Sequence, residues 1–224
     1  MFQLGLSVLT VPRPKLVETI HSLERQVDFL HWDVTDGTLI SYENAPQELL
    51  EKNNLNLSFN ELKKINTRLP LCVHLMVEDP FHYIEEFREI PGLRRIAVHL
   101  EAHTNWKENL QLIQNHGLKA GLAINPKTSL DPLYPFLHQV DFVLCMTVEP
   151  GQGGQVFHTE LLDKVRTLRS LNKTLHIMVD GGITPATARA AREAGADLFV
   201  AGSYITAAAE PIKAVEELRQ AITE

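Results

Sequence analysis

The sequence lacks several features that mark particular classes of protein. It has only two cysteines, Cys72 and Cys145, and both lie in apolar runs, which predicts buried free thiols rather than a disulfide framework. It contains no run of 18 uncharged apolar residues, and the stretch Met1–Leu9 has no basic flank. We therefore expect neither a membrane span nor a signal peptide, and we expect a cytoplasmic protein.

Basic residues are also few, because 21 Lys and Arg stand against 28 Asp and Glu, for a formal charge of −7. With no basic run, binding to nucleic acid or to an anionic membrane is not expected. Any phosphate would be held mainly by backbone N–H groups. The hydrophobic content of 44% is enough for one sizeable core, which predicts a single α/β domain over residues 1–224.

Short apolar runs alternate along the chain with longer segments of helical periodicity, which predicts βα units around a parallel sheet. Eight such units in a chain of this length indicate a closed (β/α)₈ barrel, the TIM barrel. An open doubly wound sheet is the alternative, but no Gly-x-Gly-x-x-Gly follows the first run. The predicted strands are Leu4–Leu9, Val27–Val34, Leu71–Val77, Arg95–Leu100, Ala120–Ile124, Phe142–Val148, Leu175–Val179 and Leu198–Ala201.

The segments between these strands predict helices, except for one irregular connection. Around residues 38–57 the sequence is rich in Ser, Asn, Pro and Glu, which predicts an insertion before a helix near Asn60–Thr67. The clearest other helices are predicted at Trp106–His116, Leu130–Gln139, Thr159–Leu171 and Pro185–Ala194.

Four residues that could bind a metal stand at strand ends: His31, Asp33, His74 and Asp180. Residues i and i+2 of a strand point to the same face, so His31 and Asp33 project together. Taken singly, a core histidine and a helix-capping aspartate are simpler interpretations. Because active sites of barrels lie at the C-terminal ends of the strands, the convergence of all four favours a divalent metal site.

Three glycine turns follow the last three predicted strands, at Glu149–Gln155, Asp180–Gly182 and Ala201–Ser203. Each alone is explained by a tight turn that needs a positive φ. Together at one rim of a barrel they favour a phosphate site, because backbone N–H groups without side chains in the way can surround an anion.

Over nearly its whole length the sequence resembles ribulose-phosphate 3-epimerases. The matching blocks are HWDVTDG, PLCVHLMVEDP, VHLEA, GLAINPKT, MTVEPGQGGQ, VDGGI, EAGAD and AGS. The resemblance implies one divalent ion, zinc, iron(II), manganese or cobalt, held by His31, Asp33, His74 and Asp180. It also implies that Asp33 and Asp180 are the catalytic acid and base.

The resemblance further implies a substrate site, and general chemistry suggests residues around it. His99 is expected beside the metal ligands, and Met76 and Met146 are expected either in the core or as an apolar wall around the reacting carbon. The implied substrate and phosphate contacts are Ser7, His74, Gly151, Gln152, Gly153, Gly154, Gly181, Gly182, Gly202 and Ser203.

The implied reaction is epimerisation at carbon 3 of ribulose 5-phosphate, giving xylulose 5-phosphate, in the pentose phosphate route. A homo-oligomer is expected by the same resemblance. The chain departs from the family pattern at Thr35 (usually Met), in the loop from Thr38, at Gln152 (usually Phe) and at Met178 (commonly Glu). These changes leave two alternatives open: a 3-epimerase of a related ketose phosphate such as allulose 6-phosphate, and a sugar-phosphate-binding barrel without turnover.

Overall fold

The computed structural model describes residues 1–39, 59–150 and 154–224, and its eight parallel strands close into a barrel. Each strand pairs with the next one along the chain, and the last pairs with the first, with Gln3 beside Leu198. The predicted (β/α)₈ barrel is confirmed. The strands are β1 Gln3–Ser7, β2 Phe29–Thr35, β3 Leu71–Met76, β4 Leu93–His99, β5 Lys119–Ile124, β6 Phe142–Met146, β7 His176–Asp180 and β8 Leu198–Ala201.

Helices follow the strands, and the longer ones each bury an apolar face. The helix Pro185–Ala194 shows why they form where they do: Thr184 and Thr187 make a capping box at its start, and Gly195 ends it with φ 114°. The helices are α1 Leu16–Leu23, α2 Phe59–Lys64, α3 Phe81–Phe87, α4 Trp106–Asn115, α5 Leu162–Leu171, α6 Pro185–Ala194, α7 Ser203–Thr206 and α8 Pro211–Thr223.

One predicted helix is wrong. The segment predicted as an amphipathic helix over Leu130–Gln139 forms only a 3₁₀ helix at Asp131–Phe136, because Pro135 lies inside it, where proline lacks a backbone donor and its ring obstructs an α-helix. Helix α2 begins at Phe59 and ends at Lys64, earlier than the predicted Asn60–Thr67. From residue 40 to residue 57, the predicted insertion lies outside the described residues.

The barrel interior is filled from the bottom by two aromatic rings, those of Phe29 and Phe142. Along β2 the next inward positions after Phe29 are His31 and Asp33, because side chains of a strand alternate between its two faces. On β3 the same alternation places Cys72 and then His74 on the inward face. Polar side chains at the C-terminal end of the barrel therefore lie next to the apolar side chains that fill its interior.

The remaining structural predictions concern membranes and thiols. Among the described residues, no helix has both the length and the apolar character needed to cross a membrane. Cys72 and Cys145 are both buried and free, as predicted. Burial raises the pKa of the Cys145 thiol to about 12, so this group is a packed apolar side chain rather than a nucleophile.

Candidate active site

The barrel brings together the four residues that the sequence predicts as metal ligands. Asp33 on β2 stands beside His74 on β3 in the strand register. Asp180, at the end of β7, approaches from another part of the barrel wall. One ligand atom from each of His31, Asp33, His74 and Asp180 lies within 4.8 Å of all the others, and all four residues are buried.

The distances within this cluster fit a bound cation. His31 Nε2 lies 3.3 Å from Asp33 Oδ1 and 3.3 Å from Asp180 Oδ2, and His74 Nδ1 lies 2.9 Å from Asp33 Oδ1. Ligand atoms about 2.1 Å from a shared ion stand about 3.0 to 3.4 Å apart. His31 is fully buried, yet neither of its ring nitrogens makes a hydrogen bond of normal geometry within the described part of the chain.

These donors suit several metals. Two imidazole nitrogens with two carboxylates accept zinc, iron(II), manganese and cobalt, so the cluster is able to hold a divalent ion without selecting one of them. Nε2 of His31 faces two carboxylates but makes no hydrogen bond of normal geometry among the described residues, and it is the atom whose burial a metal bond would compensate.

The charges in the cluster shift its pKa values in different directions. Burial would lower the pKa of His31, but the negative charges of Asp33 and Asp180 outweigh burial and raise this pKa well above its usual value. Burial would raise the pKa of Asp33, but the neighbouring His31 outweighs burial and holds it far below its usual range. For Asp180 burial prevails and the pKa is raised. Burial likewise lowers the pKa of His74 to about 4, so its imidazole is neutral.

Further polar groups lie behind His74. His99 is one of them, and it lies beside a proposed metal ligand as predicted. His74 Nε2 lies 2.7 Å from His99 Nε2, and His99 Nδ1 lies 2.8 Å from Glu101 Oε2. Glu101 Oε1 accepts hydrogen bonds from the Asn125 N–H at 2.8 Å and from the Thr128 hydroxyl. The sequence analysis gave no role to Glu101 or Thr128. The spacing of His99 and Glu101, two residues apart at a strand end, was the available signal.

The carboxylates and the glycine turns border one pocket at the C-terminal end of the barrel. Ser7 closes its β1 side and donates a hydrogen bond to Asp33 Oδ2 at 3.4 Å. No lysine or arginine is among the described residues that line it. Its walls include Ser7, Asp33, Met146, Gly154, Asp180, Gly181, Gly182, Gly202 and Ser203. The predicted contacts Gly151, Gln152 and Gly153 lie outside the described residues.

The two methionines take different places. Met146 packs in the barrel interior and also lines the pocket, while its place in an apolar wall around the reacting carbon stays a prediction. Met76 is buried but is not among the described lining residues, and it belongs to the core. Met178, two positions before Asp180 on the inward face, is fully buried among apolar side chains.

The turn after β7 is held by a residue that the sequence analysis did not single out. The Thr147 hydroxyl lies 2.8 Å from the carbonyl oxygen of Asp180 and 2.5 Å from that of Gly181. Gly181 and Gly182 have φ values of 114° and 62°, a region that favours glycine. A Cβ on Gly182 would lie 2.8 Å from the backbone nitrogen of Phe157. The turn thus needs glycine for its own geometry as well as for any ligand.

Comparisons with known proteins show the family of this chain. The sequence model of the ribulose-phosphate 3 epimerase family matches residues 3–206. The chain is 36% identical over 199 residues to the ribulose-phosphate 3-epimerase, cytoplasmic isoform, of Oryza sativa subsp. japonica, a match covering 87% of this chain and 82% of the relative. It is 34% identical over 225 residues to the ribulose-phosphate 3-epimerase of Bacillus subtilis, covering 98% of this chain and 99% of that one.

Solved structures share the fold at lower sequence identity. A 3-hexulose-6-phosphate synthase superimposes with a TM-score of 0.69 at 17% identity, covering 99% of this chain and 100% of that chain. A thiamine phosphate pyrophosphorylase from Pyrococcus furiosus gives a TM-score of 0.62, also at 17% identity, covering 99% and 95%. These likenesses show the barrel fold alone.

Proposed function

The chain belongs to the ribulose-phosphate 3-epimerase family, and we propose that it interconverts D-ribulose 5-phosphate and D-xylulose 5-phosphate. It is accordingly an isomerase that acts on a phosphorylated sugar. The observation that carries the specific reaction is the pair Asp33 and Asp180, which approach the same nitrogen of His31 from different strands within one pocket.

Two carboxylates are what this reaction requires. Epimerisation next to a carbonyl removes a proton from one face of the carbon and returns a proton to the other face. Asp33 on β2 and Asp180 on β7 belong to strands that are not neighbours in the barrel, so each can serve a different face of a bound sugar. This placement on separate strands supports separate acid and base roles that exchange with the direction of reaction.

The residues that would hold the divalent ion are His31, Asp33, His74 and Asp180. When bound, such an ion stabilises the negative charge that develops on the carbonyl oxygen, a contribution of several kcal/mol in general. The chain's own groups orient the carboxylates around it: Ser7 donates to Asp33, and Thr147 holds the backbone at Asp180.

We assign the phosphate of the substrate to the glycine-lined end of the pocket. Because the described lining has no lysine or arginine, backbone N–H groups at Gly154, Gly181, Gly182, Gly202 and Ser203 are its proposed donors. Gly151, Gln152 and Gly153 complete this set on the resemblance alone. The rice relative is named a cytoplasmic isoform, which supports the same location for this protein.

The test is proton exchange at carbon 3, followed by NMR in deuterated buffer with protein loaded with Mn²⁺ or Zn²⁺ and then freed of excess metal. We expect deuterium at carbon 3 of ribulose 5-phosphate together with formation of xylulose 5-phosphate. Asp33→Asn and Asp180→Asn should each lower the rate by about 10² to 10⁴. Asp36→Asn is the matched control, because Asp36 is an exposed carboxylate of the same motif whose hydrogen bonds to described residues go to Thr38 and Tyr83, outside the cluster.

The alternatives give different results in the same assay. A faster reaction with allulose 6-phosphate than with ribulose 5-phosphate would reassign the substrate while keeping the two-carboxylate chemistry. Binding of both sugar phosphates without exchange into either would contradict the proposal and support a binding protein.

A further inference from the structure

His74 has a partner at each ring nitrogen, and this sets it apart from the other histidine of the cluster. Its Nδ1 faces Asp33 Oδ1 at 2.9 Å, and its Nε2 faces Nε2 of His99 at 2.7 Å. His31, by contrast, has no hydrogen-bond partner at either nitrogen within the described residues. Two ring nitrogens 2.7 Å apart share a single proton, so one of them donates and the other accepts.

Glu101 decides which of the two nitrogens donates. Its Oε2 faces His99 Nδ1 at 2.8 Å, and its Oε1 accepts from the Asn125 N–H and the Thr128 hydroxyl. Burial would raise the pKa of Glu101, but its hydrogen bonds with His99 and Thr128 outweigh burial and lower this pKa, so both oxygens act as acceptors. His99 Nδ1 therefore donates to Glu101 Oε2, which leaves Nε2 of His99 to accept from His74. The proton between the rings consequently belongs to Nε2 of His74.

This order of hydrogen bonds leaves a lone pair on Nδ1 of His74, directed at the cluster. The lone pair stands 2.9 Å from Asp33 Oδ1, which is also an acceptor. Two acceptors at that distance repel each other unless a cation is shared between them. The hydrogen bonds behind His74 thus prepare the cluster for a positive ion.

We propose that Glu101 is a positioning residue that acts through His99 to fix the tautomer of His74 in which Nδ1 is free to bind the metal. The inference rests on the metal site of the proposed function and adds two residues to it. Partners of this kind, one bond removed from the ion, typically change metal affinity by 10- to 100-fold.

The loop that donates hydrogen bonds to Glu101 is itself held in place by a lysine. Lys164 Nζ donates to the carbonyl oxygens of Asn125, Pro126 and Thr128 at 3.1, 2.6 and 2.5 Å. These bonds hold the loop after β5 that carries both donors to Glu101. The carboxylate therefore has little freedom to turn away from His99.

Glu101→Gln replaces one acceptor oxygen of the side chain with a donor NH₂ group and leaves the size of the side chain unchanged. The Asn125 N–H and the Thr128 hydroxyl take the amide oxygen, so the amide NH₂ faces His99 Nδ1, where an acceptor stood. Either that bond breaks, or all the bonds reverse and a proton arrives on Nδ1 of His74. We expect Zn²⁺ affinity, measured by competition with a chelator, to fall 10- to 100-fold. Glu85→Gln is the matched control, with a change below about 3-fold, because Glu85 Oε1 also faces a histidine, Nε2 of His116 at 2.9 Å, but this pair lies outside the metal cluster.

A double-mutant cycle separates this role from simple loss of a negative charge. His99→Leu should lower Zn²⁺ affinity to a similar extent, and Glu101→Gln added to His99→Leu should have no further effect. Equal losses from Glu101→Gln in both backgrounds would overturn the proposal, because a charge effect does not need His99. Thermal unfolding of each metal-free variant establishes that it folds.

The wild-type protein offers a direct check that needs no variant. In the Zn²⁺-loaded protein, ¹⁵N correlation spectra should find protons on Nε2 of His74 and Nδ1 of His99. A proton on Nε2 of His99 would contradict the assignment. Failure of the wild type to bind Zn²⁺ would contradict the metal site and the proposed function together. Zn²⁺ binding with the expected tautomers but without epimerisation would support this inference and contradict the function alone.

Discussion

The ring of Phe29 fills the space beside Gly5 on the neighbouring strand, so that a Cβ on Gly5 would lie 2.3 Å from Phe29 Cε2. The same relationship recurs across the barrel, where a Cβ on Gly121 would lie 2.4 Å from Cζ of Phe142. In both pairs the glycine, which has no side chain, leaves room for the phenylalanine ring of the neighbouring strand. The two rings form the floor on which the polar cluster stands.

The Gly121–Phe142 pair gives a prediction about stability alone, because β5 and β6 carry none of the four proposed metal ligands. Gly121→Ala should lower the free energy of unfolding by about 1 to 3 kcal/mol, since the added methyl overpacks the interior. Urea unfolding in the presence of a chelator measures this loss. Phe142→Leu in the same chain makes room for the methyl, and its failure to reduce the cost of Gly121→Ala would show that packing is not the cause.

Gly182 should be required for binding of the substrate phosphate. Gly182→Ala places a side chain at φ 62° and a Cβ close to Phe157, which displaces the turn that lines the pocket. We expect a rise in KM for ribulose 5-phosphate of at least 10-fold, measured by steady-state kinetics.

The control for backbone strain is Gly117→Ala, which has φ 72°, no atom within 4 Å of the added Cβ, and no place among the described lining residues. It should destabilise the protein by about 1 kcal/mol and leave KM unchanged. An equal rise in KM in both variants would mean that the Gly182 effect is one of general stability.

Thr147→Val tests whether the Thr147 hydroxyl holds the turn at Asp180 in place. The change keeps the shape of the side chain but removes the hydroxyl that lies near the carbonyl oxygens of Asp180 and Gly181. We expect a stability loss of about 1 kcal/mol and a several-fold fall in kcat. Thr167→Val, on the exposed side of α5, removes a comparable hydroxyl bond to the Asp163 carbonyl and should alter neither quantity. Unchanged kcat in Thr147→Val would remove Thr147 from the catalytic arrangement.

The stability of the protein should depend on pH in opposite ways with and without metal. The raised pKa of His31 means that, without metal, its stabilising contribution is complete below about pH 6.5 and is lost as pH rises through the native-state pKa. With metal, His31 must be neutral to act as a ligand, so the metal's contribution grows as pH rises. Urea unfolding between pH 6 and pH 9, with chelator and with Zn²⁺, measures both slopes. The same slope in the two series would exclude His31 from the ligand set.

Much of the fold was predictable because it depends on local patterns. All eight strands were predicted, since each is a short apolar run whose alternation shows within a few residues, and α6 was predicted at its observed bounds from its Thr184 cap and the glycine that ends it. The helix predicted at Leu130–Gln139 failed because leucine spacing was given more weight than Pro135. Local backbone chemistry decided that segment.

The candidate site was predictable in part for a different reason. His31 and Asp33 are two residues apart on one strand, so the sequence alone indicates that they share a face. Glu101, His99 and Thr128 act through hydrogen bonds that cross from β4 to the loop after β5. No periodicity in the sequence marks which donor a carboxylate will meet across such a distance, and Thr147 escaped prediction for the same reason.

The sequence by itself determined the order of strands, the residue types at their C-terminal ends and the glycines in the turns, because these follow from alternation, spacing and backbone freedom within short segments. Only the tertiary structure decided that Asp180 of β7 would stand 3.3 Å from a nitrogen of His31 on β2, and that one glycine in each of two strands would admit a phenylalanine ring. Those relationships depend on how the barrel closes and on the register between strands, which long-range packing sets and no short stretch of chain contains.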